Sequence, residues 1–294
     1  MRLLFLTRDV RLHSMRRLSE ACRQQGHAFR ALDVLRAQLV VRTGGALVLE
    51  GGEPVGRDDV DAVVPRIGTS VTTVGCALVN QFEVMGLPVL NTSQAILRAR
   101  DKLRGLQHLA RAGVPVPATA LVSDLDDLDD ALDHVGGLPC VLKLLQGTQG
   151  IGVMLAESRE TLDSVLQAFW SLGHTVLLQE FVAESRGRDV RAFVVGDDVV
   201  AAMRRQARLG EFRSNIHRGG SGRPVQLDDA QRAAALAAAR AMGLDIAGVD
   251  FLEGHAGPRV IEVNASPGFE GLEAATRIDV AGAIVRHAAA RAEA

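Results

Sequence analysis

The sequence predicts an α/β N-terminal domain followed by an α+β domain, and two patterns carry this prediction. Residues 1–100 alternate short apolar runs with helical patterns, an order typical of a small open α/β sheet. Between residues 101 and 294, strands come in pairs separated by turns, with helices between the pairs, which favours antiparallel sheets. A chain of 294 residues also agrees with about two domains, so we place the boundary near residue 100.

The N-terminal pattern assigns strands, a helix and a small hairpin. Strands are expected at residues 2–7, 28–32 and 60–65. The helix covers residues 14–25, with Ser14 as its N-cap and Gly26 just past its end. The hairpin is formed by residues 47–49 and the segment after Gly51 and Gly52. No G-x-G-x-x-G follows the first strand, so dinucleotide binding has no support.

The second part begins with a helix at residues 101–112, which Gly113 ends. Pro115 and Pro117 then exclude helix and predict an extended connection. The acidic run 124–133 is assigned to the solvated start of a helix, because aspartate is favoured there. The remaining expected elements are strands at residues 141–145, 152–156, 176–181, 190–195, 199–204, 246–252 and 259–263, and Ala-rich helices at residues 228–242 and 278–291.

Composition excludes several classes of protein. The 33 basic side chains are balanced by 35 acidic ones, which argues against direct nucleic-acid binding. Aromatic residues make up only 3% of the chain, so base-stacking platforms are not expected. The apolar start at residues 3–6 is too short for a signal peptide or a membrane span. Cys22, Cys76 and Cys140 lack zinc-site spacing and are expected to be buried in a reducing cytoplasm.

A first candidate site joins Lys143 to a glycine-rich segment. Lys143 lies in an apolar predicted strand, where an unpaired ammonium group would be costly. The strand leads into residues 147–152, Gly-Thr-Gln-Gly-Ile-Gly, whose glycines let backbone N–H groups approach an anion. A lysine before such a loop indicates a polyphosphate ligand. The alternative is a solvent-facing lysine before an ordinary hairpin, because the segment is neither a Walker A motif nor a Rossmann fingerprint.

A second candidate site is a set of oxygen ligands on a predicted hairpin. Glu262 and Asn264 are two residues apart in one strand and therefore share a face. A hairpin centred near Ala256 would place Asp250 directly opposite Glu262. Two carboxylates and an amide carbonyl suit Mg²⁺ that phosphates also bind. The alternative is an exposed polar face of the hairpin.

A third candidate is a basic segment whose only acidic residue is Glu211. It suits an anion such as phosphate or a carboxylate-rich substrate, with Arg213, Ser214 and Asn215 as a compact donor group. The alternative is a solvated basic face. The segment contains Arg204, Arg205, Arg208, Arg213, Asn215, His217 and Arg218.

Together these segments resemble the ATP-grasp ligases, in particular the RimK-type α-L-glutamate ligases, over nearly the whole chain. Two departures are conservative: Glu211 stands where the family usually has aspartate, and Phe181 where it often has tyrosine. The matching strings are residues 65–69, 99–104, 147–153, 212–215, 217–220 and 262–268.

The resemblance implies an ATP-grasp fold in which two α+β subdomains, residues 106–180 and 181–294, clasp ATP. Lys143 and Arg213 would be the catalytic residues. The other implied roles are phosphate contacts by Lys102, Lys143, Gly147, Gly150 and Gly152, adenine contacts by Gln179, Glu180, Phe181 and Val182, a ribose contact by Asp189, contacts to phosphate and acceptor by Arg213, Ser214 and Asn215, and two Mg²⁺ or Mn²⁺ ions held by Asp250, Glu262 and Asn264.

The implied activity is ATP-dependent addition of L-glutamate to the C-terminus of the sixth small-subunit ribosomal protein, through an acyl phosphate. Synthesis of poly-α-glutamate and assembly into a homo-oligomer such as a tetramer are implied too. The alternatives are an ATP-grasp ligase for another amino acid, or for a small-molecule or carrier-protein acceptor, and a non-catalytic nucleotide-binding module. ATP and metal motifs are shared across these ligases and do not separate them.

Overall fold

The computed structural model describes residues 1–145, 152–208 and 221–293. In the N-terminal part, a parallel sheet has the strand order β2-β1-β6, and a small antiparallel sheet has the order β3-β4-β5. The elements are β1 (Arg2–Thr7), α1 (His13–Gln24), β2 (Ala28–Asp33), β3 (Ala37–Arg42), β4 (Gly45–Glu50), β5 (Glu53–Pro54), β6 (Ala62–Pro65), α2 (Thr72–Val84) and α3 (Ser93–Arg100).

Two antiparallel sheets follow, with the orders β7-β10-β8-β9 and β13-β12-β11-β14-β15. None of the helices in the described ranges is long and apolar enough to span a bilayer. The elements are α4 (Lys102–Arg111), β7 (Thr119–Val122), α5 (Leu128–His134), β8 (Cys140–Leu144), β9 (Val153–Ala156), α6 (Arg159–Ser171), β10 (Val176–Glu180), β11 (Arg188–Val195), β12 (Asp198–Gln206), β13 (Ser221–Pro224), α7 (Asp229–Met242), β14 (Ile246–Gly254), β15 (Gly257–Asn264), α8 (Glu270–Thr276) and α9 (Val280–Glu293).

Most expected elements are confirmed within one or two residues, but the helix start is wrong at Ser14. Helix α1 begins at His13 after Leu12, and no side chain caps it, so Ser14 lies inside the first turn. The helix forms because Met15, Leu18 and Cys22 recur on one face, which is buried. The expected hairpin is confirmed, because Gly51 and Gly52 connect β4 to β5.

The hydrophobic cores connect the first and last thirds of the chain. Strand β1 buries Leu4 and Leu6 in a core that also contains Val249 and Phe251 of β14. Its opposite face buries Phe5 with residues of α1 and α9 in a second core. The β7-β10-β8-β9 sheet packs with α5 and α6 in a core of its own. The domain limits inferred from the sequence stay a prediction.

Asn91 joins the N-terminal part to the five-stranded sheet through a buried amide. Its Nδ2 donates to the carbonyl oxygens of Ile246 at 2.7 Å and Ala265 at 2.9 Å. Its Oδ1 accepts from the backbone N–H of Ile246 at 2.9 Å. The side chain is 1% exposed, so these backbone groups are satisfied without water. The amide therefore fixes the start of β14 and the segment after β15 at one point.

Replacing Asn91 with alanine should lower the free energy of unfolding by about 2 kcal/mol, because buried backbone groups lose their partner. Urea unfolding measures the change. Asn80→Ala is the matched control, since Asn80 is exposed on α2 and its truncation should change the stability by less than about 0.5 kcal/mol. Equal effects of the two changes would show that the amide joint contributes nothing.

Candidate active site

One face of the five-stranded sheet carries the charged residues of the candidate site. Asp189 of β11 pairs with Arg205 of β12, and Arg191 of β11 pairs with Asp250 of β14. Asp250 in turn pairs with Glu262 of β15. Directly opposed residues in an antiparallel sheet share a face. Acidic and basic side chains are therefore opposed across β12, β11 and β14, and two carboxylates face each other across β14 and β15.

The β14–β15 hairpin reaches its register through a bulge. Gly254 and Gly257 close the turn, and regular pairing from there would set Asp250 against Ile261. The register shifts between Asp250 and Phe251, so Asp250 faces Glu262 instead. Gly248 is paired with Asn264, which places Asn264 on the same face. The predicted grouping of Asp250, Glu262 and Asn264 is thus present in the sheet register.

Asp250 is 3% exposed and is bound by two guanidinium groups. Arg191 donates to its Oδ1 at 2.7 Å and its Oδ2 at 2.6 Å, and Arg205 donates to Oδ2 at 2.8 Å. Burial by itself would raise the pKa of Asp250, but Arg191 and Arg205 hold it below its ordinary value. Asp250 is therefore ionised at neutral pH, and the alternative of an exposed hairpin face is wrong at this residue.

Asp189 is also buried, at 4% exposure, and accepts two hydrogen bonds of 2.6 Å from Arg205. Arg205 thus bridges two carboxylates and is itself 4% exposed. Burial opposes its charge, yet the two carboxylates raise its pKa above the ordinary value. The ribose contact implied for Asp189 stays a prediction.

Lys102 and Lys143 meet Glu262 beside the glycine-rich segment. Lys102 Nζ donates to the carbonyl oxygen of Leu144 at 2.8 Å, at the end of β8. Burial lowers the pKa of Lys143 to about 8, with Lys102 lowering it further and Glu262 opposing the shift. Burial lowers the pKa of Lys102 too, again against Glu262. Lys143 is half-buried rather than solvent-exposed, and both lysines interact electrostatically with one carboxylate, that of Glu262.

The glycine-rich segment is described only at its last residue. Gly152 has φ +73°, and a Cβ atom on it would lie 2.5 Å from Leu144 Cδ1, so only glycine fits. The other predicted ligands of this kind lie outside the described residues: Gly147, Gly150, Arg213, Ser214 and Asn215.

The last residues of β10 and the two that follow pack their side chains against other protein groups. Gln179 Nε2 donates to Thr119 Oγ1 at 2.8 Å, and Glu180 Oε2 accepts from the backbone N–H of Ala118 at 3.0 Å. The Phe181 ring lies 6.0 Å from the Arg186 guanidinium carbon, and Val182 is buried. These side chains already have partners in the protein, which agrees with adenine contacts made mainly through the backbone. The adenine contacts themselves stay a prediction.

The prediction that the basic segment offers free cations to an anion is wrong at Arg204 and Arg205, because both side chains are bound to carboxylates. Arg204 donates to both carboxylate oxygens of Glu253, at 2.8 and 2.6 Å, and Arg205 bridges the two buried aspartates. The acidic partners come from residues distant in sequence, which a count along the segment cannot show. Arg208 is exposed and engaged by other groups, and residues 209–220 lie outside the described ranges.

Sequence reasoning did not single out Arg191, and it included Arg66 only in the matching string 65–69, without a role. Arg191 binds Asp250, and its spacing of two from Asp189 in one strand was the available signal. Arg66 is buried and donates to the carbonyl oxygen of Pro267 at 2.5 Å. The described part of the chain holds no cluster of three or more His, Cys, Asp or Glu suited to a metal, so the candidate set remains two carboxylates and an amide.

Family models match almost the entire chain. A model described as the RimK-like ATP-grasp domain matches residues 99–288, and one described as the RimK PreATP-grasp domain matches residues 1–96. A protein of Pseudomonas paraeruginosa named probable alpha-L-glutamate ligase is 49% identical over 287 residues, covering 98% of this chain and 95% of that protein. One of the same name from Thioalkalivibrio sulfidiphilus is 52% identical over 286 residues, covering 97% and 94%.

Solved structures share the fold at lower identity. The ATP-grasp ligase PsnB, complexed with a phosphomimetic variant of its minimal precursor, Mg and ADP, has a TM-score of 0.76 and 22% identity over 98% of both chains. A RimK domain protein ATP-grasp from Sphaerobacter thermophilus has a TM-score of 0.73 and 23% identity, covering 98% of this chain and 99% of that one. The expected fold class, an α/β domain followed by an ATP-grasp fold, is confirmed.

Arg205→Ala should destabilise the protein by about 3–5 kcal/mol, because it leaves two buried carboxylates short of a partner. Thermal or urea unfolding measures this loss. Arg240→Ala is the matched control, since Arg240 also pairs with an aspartate, Asp197, but its side chain is 65% exposed. Losing that surface pair should change the stability by less than about 1 kcal/mol. A small effect at Arg205 would contradict a structural role for the bridge.

The pKa of Lys143 can be measured directly, because Lys102 and Lys143 are the only lysines in the sequence. Reductive ¹³C-methylation labels these two amines and the N-terminus, and we expect one lysine signal to titrate near pH 8. Lys143→Arg should remove that signal. The lysine charge is lost as the pH rises through about 8, so the affinity for phosphates should fall above that pH. Two lysine signals that both titrate near 10.5 would contradict the burial of Lys143.

Proposed function

The chain belongs to the RimK-like ATP-grasp family, and on that premise we propose that it is an ATP-dependent ligase. It joins L-glutamate to a carboxylate at the C-terminus of an acceptor protein. The names of its relatives, probable alpha-L-glutamate ligase at about half identity over nearly full length, support this choice of amino acid. The observation that carries the proposal is the pair of lysines facing one carboxylate at the end of β8.

This grouping suits the polyphosphate of ATP. Lys102 and Lys143 bring two positive charges to a place where Glu262 supplies one negative charge. A buried ammonium group without full compensation is unfavourable, so an anion that approaches it is bound strongly.

The oxygen atoms opposite the lysines fit Mg²⁺. Glu262 is exposed, and no donor among the described residues binds it. Asn264 Oδ1 accepts from the backbone N–H of Ser266 at 2.9 Å and keeps a second lone pair. Among the described residues, Asp250 Oδ1 accepts from Arg191 alone, which leaves it a position for a cation. These three residues would hold Mg²⁺, or Mn²⁺, which when bound neutralises charge on the phosphates.

The proposed reaction proceeds through an acyl phosphate. The acceptor carboxylate attacks the γ-phosphorus of ATP and ADP leaves, because a carboxylate oxygen is otherwise a poor leaving group. The glutamate amine then attacks the acyl carbon, phosphate departs with one carboxylate oxygen, and an amide remains. Lys102 and Lys143 hold and neutralise the phosphates. Arg213, through the family resemblance, would stabilise the tetrahedral oxyanion. Enclosure of the site prevents hydrolysis of the acyl phosphate.

The acceptor we propose is the C-terminal tail of the sixth small-subunit ribosomal protein, with poly-α-glutamate as a further product. Support comes from the family resemblance. The solved PsnB structures, by their names, hold precursor peptides, and the shared fold makes a peptide acceptor reasonable. A cytoplasmic homo-oligomer is part of the proposal. The cytoplasmic location is supported by Cys22, Cys76 and Cys140, which are buried free thiols, as expected in a reducing compartment.

The function is tested by mass spectrometry of the full-length protein with ATP, Mg²⁺, all twenty amino acids and the purified acceptor protein. We expect mass increments of one or more glutamates and release of ADP and phosphate. A small-molecule carboxylate and a truncated acceptor that lacks its C-terminal residues serve as controls. Preferential incorporation of another amino acid, or ligation of the small molecule only, would contradict the proposal.

Glu262→Ala should reduce the ligation rate about 100-fold or more, because it removes an oxygen ligand from the phosphate site. The folded state should persist, since Glu262 is exposed. Glu53→Ala is the matched control, because Glu53 is exposed on β5 of the small N-terminal sheet. Steady-state assays at saturating Mg²⁺ measure both. A rate for Glu262→Ala within about twofold of the unaltered protein would remove Glu262 from the site.

A further inference from the structure

Arg66 follows β6 and is 8% exposed, yet no carboxylate of the described residues pairs with it. Its Nη2 donates to the carbonyl oxygen of Pro267, and its guanidinium carbon lies 5.6 Å from the centre of the Phe269 ring. Its Nε is buried and has no hydrogen-bond partner. Burial lowers the pKa of Arg66 to about 10, and no ionised neighbour opposes that shift.

Arg205 shows what a buried guanidinium usually has. It is 4% exposed and binds the carboxylates of Asp189 and Asp250. Arg66 is comparably buried, but its acceptors within the described residues are one carbonyl oxygen and one aromatic face. Buried charges in proteins are paired, and an exception calls for an explanation. A missing anionic ligand is the explanation that also accounts for the unpaired Nε.

The residues around Arg66 contain further unpaired polar atoms. Ser266 Oγ and His13 Nδ1 are buried and have no hydrogen-bond partner. Ser266 precedes Pro267, the residue that accepts from Arg66, and the His13 ring packs edge-on against Phe269 at 6.3 Å. Three unpaired atoms therefore lie around one short segment, residues 266–269. They are Nε of Arg66, Oγ of Ser266 and Nδ1 of His13.

This segment is continuous with the proposed phosphate site. Asn264 Oδ1 accepts from the backbone N–H of Ser266 at 2.9 Å. Pro267 packs on Gly248, where a Cβ atom would lie 2.7 Å from Pro267 Cβ and 3.9 Å from Arg191 Nε. Arg66 is thus anchored to the peptide that leaves the metal-binding strand. A ligand held by Arg66 would therefore lie next to the segment that follows β15.

Arg100 fixes the loop that presents Arg66. It donates to the carbonyl oxygens of Ile67 at 2.7 Å and Gly68 at 2.9 Å, and also to Thr72 Oγ1. These bonds hold the backbone on the C-terminal side of Arg66 in one conformation. The Arg66 guanidinium is therefore held at both ends, by the loop that carries it and by its hydrogen bond to the Pro267 carbonyl oxygen. Such preorganisation is expected of a side chain that binds a ligand.

We propose that Arg66, with Ser266 beside it, binds a carboxylate of the amino-acid substrate; this rests on the proposed ligase function. A guanidinium matches a carboxylate through paired N–H donors, and a serine hydroxyl supplies a further donor. The narrow exposure of Arg66 suits a small molecule better than a protein tail. Lys102 and Lys143 already serve the phosphates, so the substrate carboxylate is the anion left for Arg66.

The first test measures KM for each substrate with Arg66→Gln and Ser266→Ala. We expect KM for L-glutamate to rise about 10-fold or more for Arg66→Gln and by a smaller factor for Ser266→Ala, with KM for ATP and acceptor within about twofold. Arg98→Gln is the matched control, because half-buried Arg98 also donates to a carbonyl oxygen, that of Met242, away from the site. Thermal unfolding confirms that each variant is folded.

The second test compares L-glutamate with L-glutamine and glutamic acid α-amide, each of which lacks one carboxylate. One analogue should lose about 10-fold in kcat/KM with the unaltered protein, and this penalty should shrink with Arg66→Gln. Calorimetric binding of L-glutamate, without turnover, should weaken in parallel. An unchanged glutamate KM and affinity in both variants, or a rise in the acceptor or ATP KM instead, overturns the assignment. An unaltered protein that binds glutamate but ligates nothing would count against the proposed function alone.

Discussion

The site depends on an imbalance of charge at the junction of three elements. Lys102 begins α4, Lys143 lies in β8 and Glu262 lies in β15, and their charges meet although 160 residues separate the first from the last. A sequence that uses arginine for every other basic side chain keeps lysine at these two positions. Lysine is the compact ammonium whose pKa shifts readily on burial, whereas arginine stays charged. We propose that bound phosphates balance this surplus of positive charge.

A network of paired charges on β11, β12 and β14 lies next to Glu262, the carboxylate shared by the two lysines. Arg205 bridges Asp189 and Asp250, Arg191 completes the bonding of Asp250, and the face that results is rigid because each buried charge has a partner. Such a network is weak evidence for stability as a whole, but removing one partner is costly. Its position beside Glu262 fixes the oxygen ligands of the hairpin. The supporting network and Glu262 therefore lie on one sheet face, in adjacent strands, whereas Lys102 and Lys143 come from α4 and β8.

Local patterns predicted much of this, and long-range partners set the limit. The pairing of Asp250 with Glu262 could be predicted, because residues at equal distances from a turn face each other in a hairpin. The bulge between Asp250 and Phe251 could not be predicted. Helix α2 escaped the pattern, because apolar Ala77 and Val84 lie on its exposed face. Its buried face, which includes Cys76, Leu78 and Phe82, is therefore not set apart by polar residues in the sequence. Arg204 and Arg205 form salt bridges with acidic residues 16 to 49 positions away, and a count of charges along the local sequence cannot show these pairs. Arg66 carries no local signal of burial.

The central claim is that this charge surplus passes the γ-phosphoryl group of ATP to a carboxylate. The direct measurement uses acceptor protein labelled with ¹⁸O in its C-terminal carboxylate, followed by mass analysis of the phosphate released during ligation. The acyl-phosphate route predicts one ¹⁸O atom in inorganic phosphate for each amide formed, with ADP as the other product. Release of AMP carrying ¹⁸O, or of phosphate without any ¹⁸O, would contradict the claim.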